Sequence, residues 1–290
     1  MDVSLGNTGV TTSALALGCD RLGSTLTPLN RKQCLALLRD AFELGIRHFD
    51  TASIYGQGDS ERYIGEAFKG CRDEVCLATK AGQRLSPVQA VAARFKTPIR
   101  WLARSRGVVR QTVGRRRAGG VNYCFDPAFI DSSLSSSLRR LQTDRVDIFY
   151  LHSPPPEALR DGKLMSLLER MRQEGRINAI GVSCDDLKIA LAAAGHSLIE
   201  IIQHDLVDQP LCYEVLDVAA KNDKVCLVRG IARQAGQQEG NYEENLVAGF
   251  RSALTLPPVG GVIIGTTNAQ HLRQNAAGFN RASNQMEVVR

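Results

Sequence analysis

None of the eight cysteines (Cys19, Cys34, Cys71, Cys76, Cys124, Cys184, Cys212, Cys226) stands in a C-x-x-C pair. That spacing argues against a zinc ribbon or a dithiol redox centre, and no metal site is expected. Several sit inside apolar runs, such as Val75-Cys76-Leu77 and Val225-Cys226-Leu227, where a free thiol behaves as a small hydrophobe. No apolar stretch approaches the roughly 18 to 20 residues that cross a bilayer. The opening Met1-Asp2-Val3 shows neither a basic nor an apolar leader pattern, so a cytoplasmic location is expected. The third lack is local: no Asp or Glu occurs from Leu85 to Phe125.

That acid-free interval explains the charge of the whole chain. Formal net charge is +6, from 36 Lys plus Arg against 30 Asp plus Glu. Nine of the cations (Arg94, Lys96, Arg100, Arg104, Arg106, Arg110, Arg115, Arg116, Arg117) lie within 24 consecutive residues; the other 27 face 30 anions, so the rest of the chain carries −3. The basicity belongs to one segment and not to the fold. What is present otherwise is ordinary for a globular protein with a large core: 43% hydrophobic and 23% charged residues, 26 Gly and 10 Pro in 290 positions.

Short apolar runs alternate with amphipathic segments from end to end, the pattern of β/α units around a parallel sheet. Eight strands are predicted: Ala14–Gly18, Arg47–Asp50, Val75–Lys80, Val146–Leu151, Ala179–Ser183, Ile199–Gln203, Val225–Arg229 and Gly261–Gly265. The intervening segments carry helical spacing, as in Leu35, Leu38 and Phe42, in Ile130, Leu134, Leu138 and Leu141, and in Leu164, Leu167, Leu168 and Met171. An open doubly wound sheet would announce a dinucleotide site by G-x-G-x-x-G after its first strand. Here that position reads Leu17-Gly18-Cys19-Asp20-Arg21-Leu22-Gly23, which fails the spacing. The expected fold is therefore α/β, a single (β/α)8 TIM barrel over residues 1–290, with a basic insertion at 85–124 after strand three. Turn signals at Gly6-Asn7 and Thr8-Gly9 predict a small hairpin over Ser4–Thr12, a plug for the barrel's N-terminal end.

In such a barrel, chemistry collects at the C-terminal ends of the strands. Strand two ends at Asp50 and runs into Thr51-Ala52-Ser53-Ile54-Tyr55-Gly56; strand three ends at Lys80 and strand four at His152. An Asp, a Lys, a His and a Tyr on one mouth make an acid/base constellation. A cation about 4 Å from a phenol oxygen, at an effective dielectric of about 20, favours phenolate by ~4 kcal/mol. On that basis Lys80 lowers the pKa of Tyr55 from near 10 by up to roughly three, with Asp50 holding Lys80 charged. Each residue alone has a structural explanation; a Lys ending a buried strand must in any case meet an anion or water.

Phe49-Asp50-Thr51-Ala52-x-x-Tyr55-Gly56, then Ser60-Glu61 and Ile64-Gly65-Glu66, resembles the signature of the aldo-keto reductase family. The resemblance continues through Thr79-Lys80, Ser137-Leu138-x-Arg140-Leu141, Asp147, Leu151-His152 and Gly181-Val182-Ser183, and closes with Ile263-Ile264-Gly265-Thr266-Thr267 and Leu272-x-x-Asn275. It implies NAD(P)H-dependent reduction of an aldehyde or ketone to an alcohol, or the reverse. Its catalytic tetrad falls on Asp50, Tyr55, Lys80 and His152, with Tyr55 as general acid and His152 orienting the carbonyl oxygen. Members that reduce carbon–carbon double bonds place Glu where this chain has His152, which favours carbonyl chemistry. The alternative is a barrel that binds the cofactor but serves as a non-catalytic regulatory or scaffold subunit.

For the cofactor, the resemblance implies Ser183 and Gln203 at the nicotinamide carboxamide and Arg229, Gly230 and Ile231 over the pyrophosphate. Gly265, Thr266, Thr267, His271 and Asn275 fall in the adenosine strip. Cys184 stands where many members have Asn, and His271 where many have an Arg for the 2′-phosphate. A neutral His clamps a phosphate less well than a bidentate Arg. NADP(H) is accordingly favoured over NAD(H) only modestly.

The insertion carries Val91, Phe95, Ile99 and Leu102 at helical spacing, interrupted by Pro98, and the only Trp, Trp101. Three roles fit: a solvated subdomain packed on the barrel, a lid whose cations attract an anionic substrate or the cofactor phosphates, or contact of residues 94–117 with an anionic membrane or acidic partner. Nucleic acid is not an expected partner, because the segment has few aromatics and the remaining chain is mildly acidic.

Overall fold

The computed structural model describes residues 1–24, 27, 29–85 and 121–287. Residues 86–120, which hold all nine clustered cations and Trp101, lie outside the described residues, and with them the three roles considered for the insertion.

The chain begins with β1 (Asp2–Ser4) paired antiparallel to β2 (Thr11–Ser13). Then β3 (Leu15–Gly18), helix α1 (Arg31–Glu43), β4 (His48–Asp50), helix α2 (Asp59–Ala67) and β5 (Cys76–Ala81) follow. Two further short strands, β6 (Gln83–Leu85) and β7 (Val121–Tyr123), pair antiparallel to each other. Next come α3 (Pro127–Leu141), β8 (Val146–His152), α4 (Pro156–Arg160), α5 (Gly162–Gln173), β9 (Ile177–Ser183), α6 (Leu187–Ala194) and β10 (Ile201–Asp205). The chain ends with α7 (Pro210–Lys221), β11 (Val225–Arg229), α8 (Ile231–Ala235), α9 (Tyr242–Leu254), β12 (Val259–Gly265) and α10 (Ala269–Glu287). Strands β3, β4, β5, β8, β9, β10, β11 and β12 pair in parallel and in that order, with β12 returning to β3, so the sheet is a closed eight-stranded barrel.

Each predicted strand is present, with ends displaced by at most two residues. Strand β10 starts at Ile201 and not at Ile199, because the Ile199 amide closes a turn onto His196 O at 3.3 Å. Alternation sorts the strand side chains into two cores. Ala16, Cys76, Ala78, Ile148, Tyr150, Ala179, Ile201, Val225, Leu227 and Ile263 fill the lumen, while Leu17, Phe49, Leu77, Phe149, Leu151, Val182, Ile202 and Val262 face the helices. The plug is real: Leu5 and Val10, from the loop between β1 and β2, belong to the lumen cluster. Gly181 exists for the same packing, since a Cβ there would lie 2.5 Å from the ring of Tyr150.

Helix faces follow the predicted spacing with one adjustment. Helices α3 and α5 bury Ile130, Leu134, Leu138 and Leu141, and Leu164, Leu167, Leu168 and Met171. In α1 the buried stripe is Cys34, Leu37, Leu38 and Ala41, with Leu35 and Phe42 at its edge. The eight cysteines are free thiols, six of them buried. Among the described residues no helix is long and apolar enough to cross a membrane.

Candidate active site

The two-residue period that fills the lumen also brings an inward-facing residue from each of seven strands to the mouth. Ala16 gives way to Gly18, His48 to Asp50, Ala78 to Lys80, Tyr150 to His152, Gly181 to Ser183, Ile201 to Gln203 and Leu227 to Arg229. Strands β4, β5 and β8 are neighbours, so Asp50, Lys80 and His152 come from three successive staves.

Tyr55 is delivered by the turn after β4. The Thr51 and Ser53 amides bond Ala78 O at 2.9 Å and Lys80 O at 3.1 Å, which prolongs the chain along β5 before it bends at Tyr55–Gly58. Gly56 permits that bend: its φ is 54°, and a Cβ would lie 2.7 Å from Leu22 O. The Tyr55 ring stands edge-on to that of His152, centroids 5.9 Å apart, with Lys80 Nζ 5.6 Å from the Tyr55 ring centroid.

Lys80 is buried, and its Nζ lies 2.5 Å from each Asp50 carboxylate oxygen and 3.0 Å from Thr51 O. Gln203 Nε2 donates to Asp50 Oδ1 at 3.0 Å, and Ser183 Oγ donates to Gln203 Oε1 at 2.6 Å. A hydrogen-bonded chain Lys80–Asp50–Gln203–Ser183 thus crosses the mouth. Burial lowers the pKa of Lys80 while Asp50 opposes the shift. Burial, reinforced by the Lys80 and Arg229 charges, holds His152 well below the usual histidine range, so its ring is neutral.

The expected lowering of Tyr55 is corrected by this geometry. Burial first, then the Asp50 and Asp20 carboxylates, raise the Tyr55 pKa; Arg229 opposes them. The ammonium charge of Lys80 is spent on Asp50 and Thr51 O, so it does not offset the desolvation of the phenol.

The other predicted residues divide. Ser183, Gln203 and Arg229 share the mouth with the four above. The Arg229 guanidinium bonds Asp185 Oδ1 at 2.6 Å and Cys184 O at 3.1 Å and lies 3.4 Å from Asp205 Oδ1, while its buried Nε has no partner among the described residues. Cys184 is buried, with its amide on Gln203 O at 3.0 Å. Gly230 takes φ 96° and starts α8, where Ile231 is buried. Gly265 is exposed and Thr266 and Thr267 are half-exposed. Asn268 caps α10, accepting from the amides of Gln270 at 2.7 Å and His271 at 3.3 Å. His271 is exposed on the first turn, while Arg273 points to Asp40 at 3.6 Å. Asn275 is buried and accepts from Tyr242 Oη at 3.1 Å, tying α10 to α9.

Sequence reasoning missed the carboxylates that organise this rim. Asp205, two residues beyond Gln203, lies near Arg229 and bonds Arg233; Asp185, next to Cys184, bonds Arg229 from the adjoining loop. It also left Glu61 without a role. Glu61 is buried and accepts from Thr79 Oγ1 at 2.7 Å and Arg140 Nε at 2.5 Å, locking α2, β5 and α3 together behind Lys80.

These residues fit a nicotinamide dinucleotide. Ser183 and Gln203 offer a hydroxyl and an amide at the level of His152, Arg229 keeps a buried N–H without a partner among the described residues, and the 265–267 strip leads to a helix N-terminus suited to an anion. Among the described residues no cluster of His, Cys, Asp and Glu could hold a metal.

A closed barrel with this mouth is the architecture of a family of oxidoreductases, and the chain belongs to it: the aldo/keto reductase family model matches residues 14–253. The chain is similar to a D-threo-aldose 1-dehydrogenase of Pseudomonas sp., 30% identical over 81% of this chain and 72% of that one. It is also similar to the NADH-specific methylglyoxal reductase of Escherichia coli strain K12, 28% identical over 78% of this chain and 63% of that one. Among solved structures, an aldo/keto reductase from Klebsiella pneumoniae in complex with NADP and acetate shares the fold, with TM-score 0.69 and 21% identity over 96% of this chain and 89% of that one. Its family makes the protein an oxidoreductase of small carbonyl or alcohol compounds.

Proposed function

We propose that the protein reduces an aldehyde or ketone to an alcohol with NAD(P)H, using Tyr55 as general acid. The observation that supports this best is the grouping of Tyr55, His152, Lys80 and Asp50 at one mouth. When bound, the cofactor supplies the hydride. Ser183 and Gln203 hold its carboxamide end; Arg229, Gly230 and Ile231 lie along the pyrophosphate; Gly265, Thr266, Thr267, His271 and Asn275 belong to the adenosine side.

The neutral His152 donates one ring N–H to the carbonyl oxygen and orients it. Tyr55 then passes its phenolic proton to that oxygen as negative charge develops there. A raised pKa is compatible with this role, because it keeps Tyr55 protonated at neutral pH and the acceptor alkoxide is the stronger base. Asp50 keeps the buried Lys80 charged, and the pair fixes the electrostatic setting of Tyr55.

NADP(H) is proposed ahead of NAD(H). An NADP-bound relative favours the first and an NADH-specific relative the second, while the exposed His271 offers a modest phosphate contact. A panel of aldehydes assayed with each cofactor tests the reading. Turnover that responds to Tyr55→Phe supports it; tight cofactor binding without turnover of any aldehyde would favour the non-catalytic subunit.

A further inference from the structure

Arg229 ends β11, and the two strands before it in the barrel wall end in Ser183 and Gln203. Its Nη2 donates to Cys184 O at 3.1 Å, and the Cys184 amide donates to Gln203 O at 3.0 Å. Cys184 follows Ser183, whose register partner is His152. The guanidinium is therefore anchored beside the two residues proposed to hold the nicotinamide carboxamide, and not only along the stretch proposed for the diphosphate. Its Nε is buried and has no partner among the described residues.

The charge of this group is only partly compensated. Asp185 accepts from Nη2 at 2.6 Å, but its side chain is 84% exposed, so water screens it. Asp205 Oδ1 lies 3.4 Å from Nη1, and the same carboxylate is shared with Arg233 at 2.7 Å. Toward the lumen the cation is felt directly. The charges of Lys80 and Arg229, both positive, add to burial in holding His152 below the usual histidine range. At Tyr55 the Arg229 charge opposes the Asp50 and Asp20 carboxylates. A cation that acts on both His152 and Tyr55 also acts on a ring held beside them by Ser183 and Gln203.

The two redox forms of a nicotinamide dinucleotide differ in charge at one place. Their adenosine and diphosphate are the same, whereas the oxidised ring carries a formal positive charge and the reduced ring is neutral. A fixed cation near that ring therefore works against the oxidised form alone.

We propose that Arg229 discriminates between the redox forms of the cofactor: its guanidinium lowers the affinity for the oxidised nicotinamide relative to the reduced one. Uptake of NADPH and release of NADP+ are both favoured over what a neutral residue at this position would give. The proposal rests on the nicotinamide reading of the mouth and adds to it a bias that the diphosphate contacts cannot produce.

The experiment titrates NADP+ and NADPH separately by calorimetry into wild type, Arg229→Gln, Arg229→Lys and Asp185→Asn. The quantity read is the ratio of Kd for NADP+ to Kd for NADPH, in which the contacts to adenosine and diphosphate cancel. Arg229→Gln keeps an N–H donor and loses the charge, and the ratio is expected to fall about tenfold, equivalent to ~1.4 kcal/mol. Arg229→Lys keeps the charge without the planar fork and is expected to hold the ratio within about threefold of wild type. A ratio unchanged in Arg229→Gln, or lowered equally in Arg229→Lys, overturns the proposal and leaves Arg229 a contact of the diphosphate or of the fold. Should Arg229→Gln fail to fold, the exposed Asp185→Asn decides. Removing this partner leaves Arg229 less compensated, so the ratio is expected to rise about twofold, and an unchanged or lower ratio overturns the proposal. If NAD+ and NADH are the pair that binds, their ratio is read in the same way. Wild type that binds neither pair would refute the cofactor reading itself and the proposal with it, an outcome distinct from binding with an unchanged ratio.

Discussion

Gln203 on β10 donates its Nε2–H across the lumen to Asp50 Oδ1 on β4 at 3.0 Å, joining strands on opposite sides of the barrel. Through it the proposed carboxamide pair, Ser183 and Gln203, is mechanically continuous with the Asp50–Lys80 ion pair. Gln203→Leu is expected to weaken NADPH binding about tenfold by loss of this bond and its neighbour. Gln203→Glu should be worse than Leu, since it sets a second carboxylate against Asp50. Calorimetric titration of both variants checks the order; Glu tolerated better than Leu would contradict the linkage.

Glu61 is expected to be structural in stability and indirect in catalysis. Glu61→Ala leaves Arg140 without its buried partner and Thr79 Oγ1 without its acceptor. Breaking such a pair costs about 3 to 5 kcal/mol. Urea unfolding should show a loss of that order, with Gln at the same position losing less. A loss below about 1 kcal/mol for Glu61→Ala, the range of an exposed ion pair, would mean that the lock is not holding α2 to α3.

Acid should destabilise the fold below neutral pH through its buried histidines. Burial lowers His48 from its ordinary value to about 4, and His152 well below 6.5. Below about 6.5 the unfolded chain binds protons that the folded chain does not, so stability rises with pH in this window and is lost as pH falls through it. Each such histidine contributes ~1.4 kcal/mol per pH unit, or ~3 kcal/mol for His48 between 6.5 and its folded value. The urea midpoint should therefore fall between pH 6.5 and 5, with a shallower slope in His48→Leu. Equal slopes in the two proteins would contradict a neutral, buried His48.

Cofactor choice is expected to yield to one substitution. His271 is exposed on the first turn of α10, whereas Arg273 is drawn to Asp40 on α1. His271→Arg places a fork of donors where a 2′-phosphate would sit. The ratio of kcat/KM for NADPH over NADH should rise about tenfold, a change of ~1.4 kcal/mol that suits one charge-assisted hydrogen bond. An unchanged ratio would remove His271 from the adenosine side.

Most of the barrel was legible because each strand is buried on both faces and reads as a short apolar run. Strand period then carries Asp50, Lys80, His152, Ser183, Gln203 and Arg229 to one end without further information. Three things were not legible. The sign of the Tyr55 shift depends on how completely Asp50 absorbs the Lys80 charge and on burial, neither of which spacing reveals. The Gln203–Asp50 bond joins residues 153 positions apart on opposite strands, so it requires the closed register. Glu61 was visible in its motif, but a buried carboxylate shared by Thr79 and Arg140 becomes recognisable only when α2, β5 and α3 are packed.

The central claim is that Tyr55 is the proton donor at a mouth that binds NAD(P)H. The most direct measurement is kcat of Tyr55→Phe on an aldehyde that wild type reduces, with NADPH affinity determined on the same preparations. The expected result is a loss in kcat of about 10² to 10⁴, the range for a general acid, with NADPH binding within about twofold of wild type. Turnover by Tyr55→Phe at the wild-type rate would contradict the assignment.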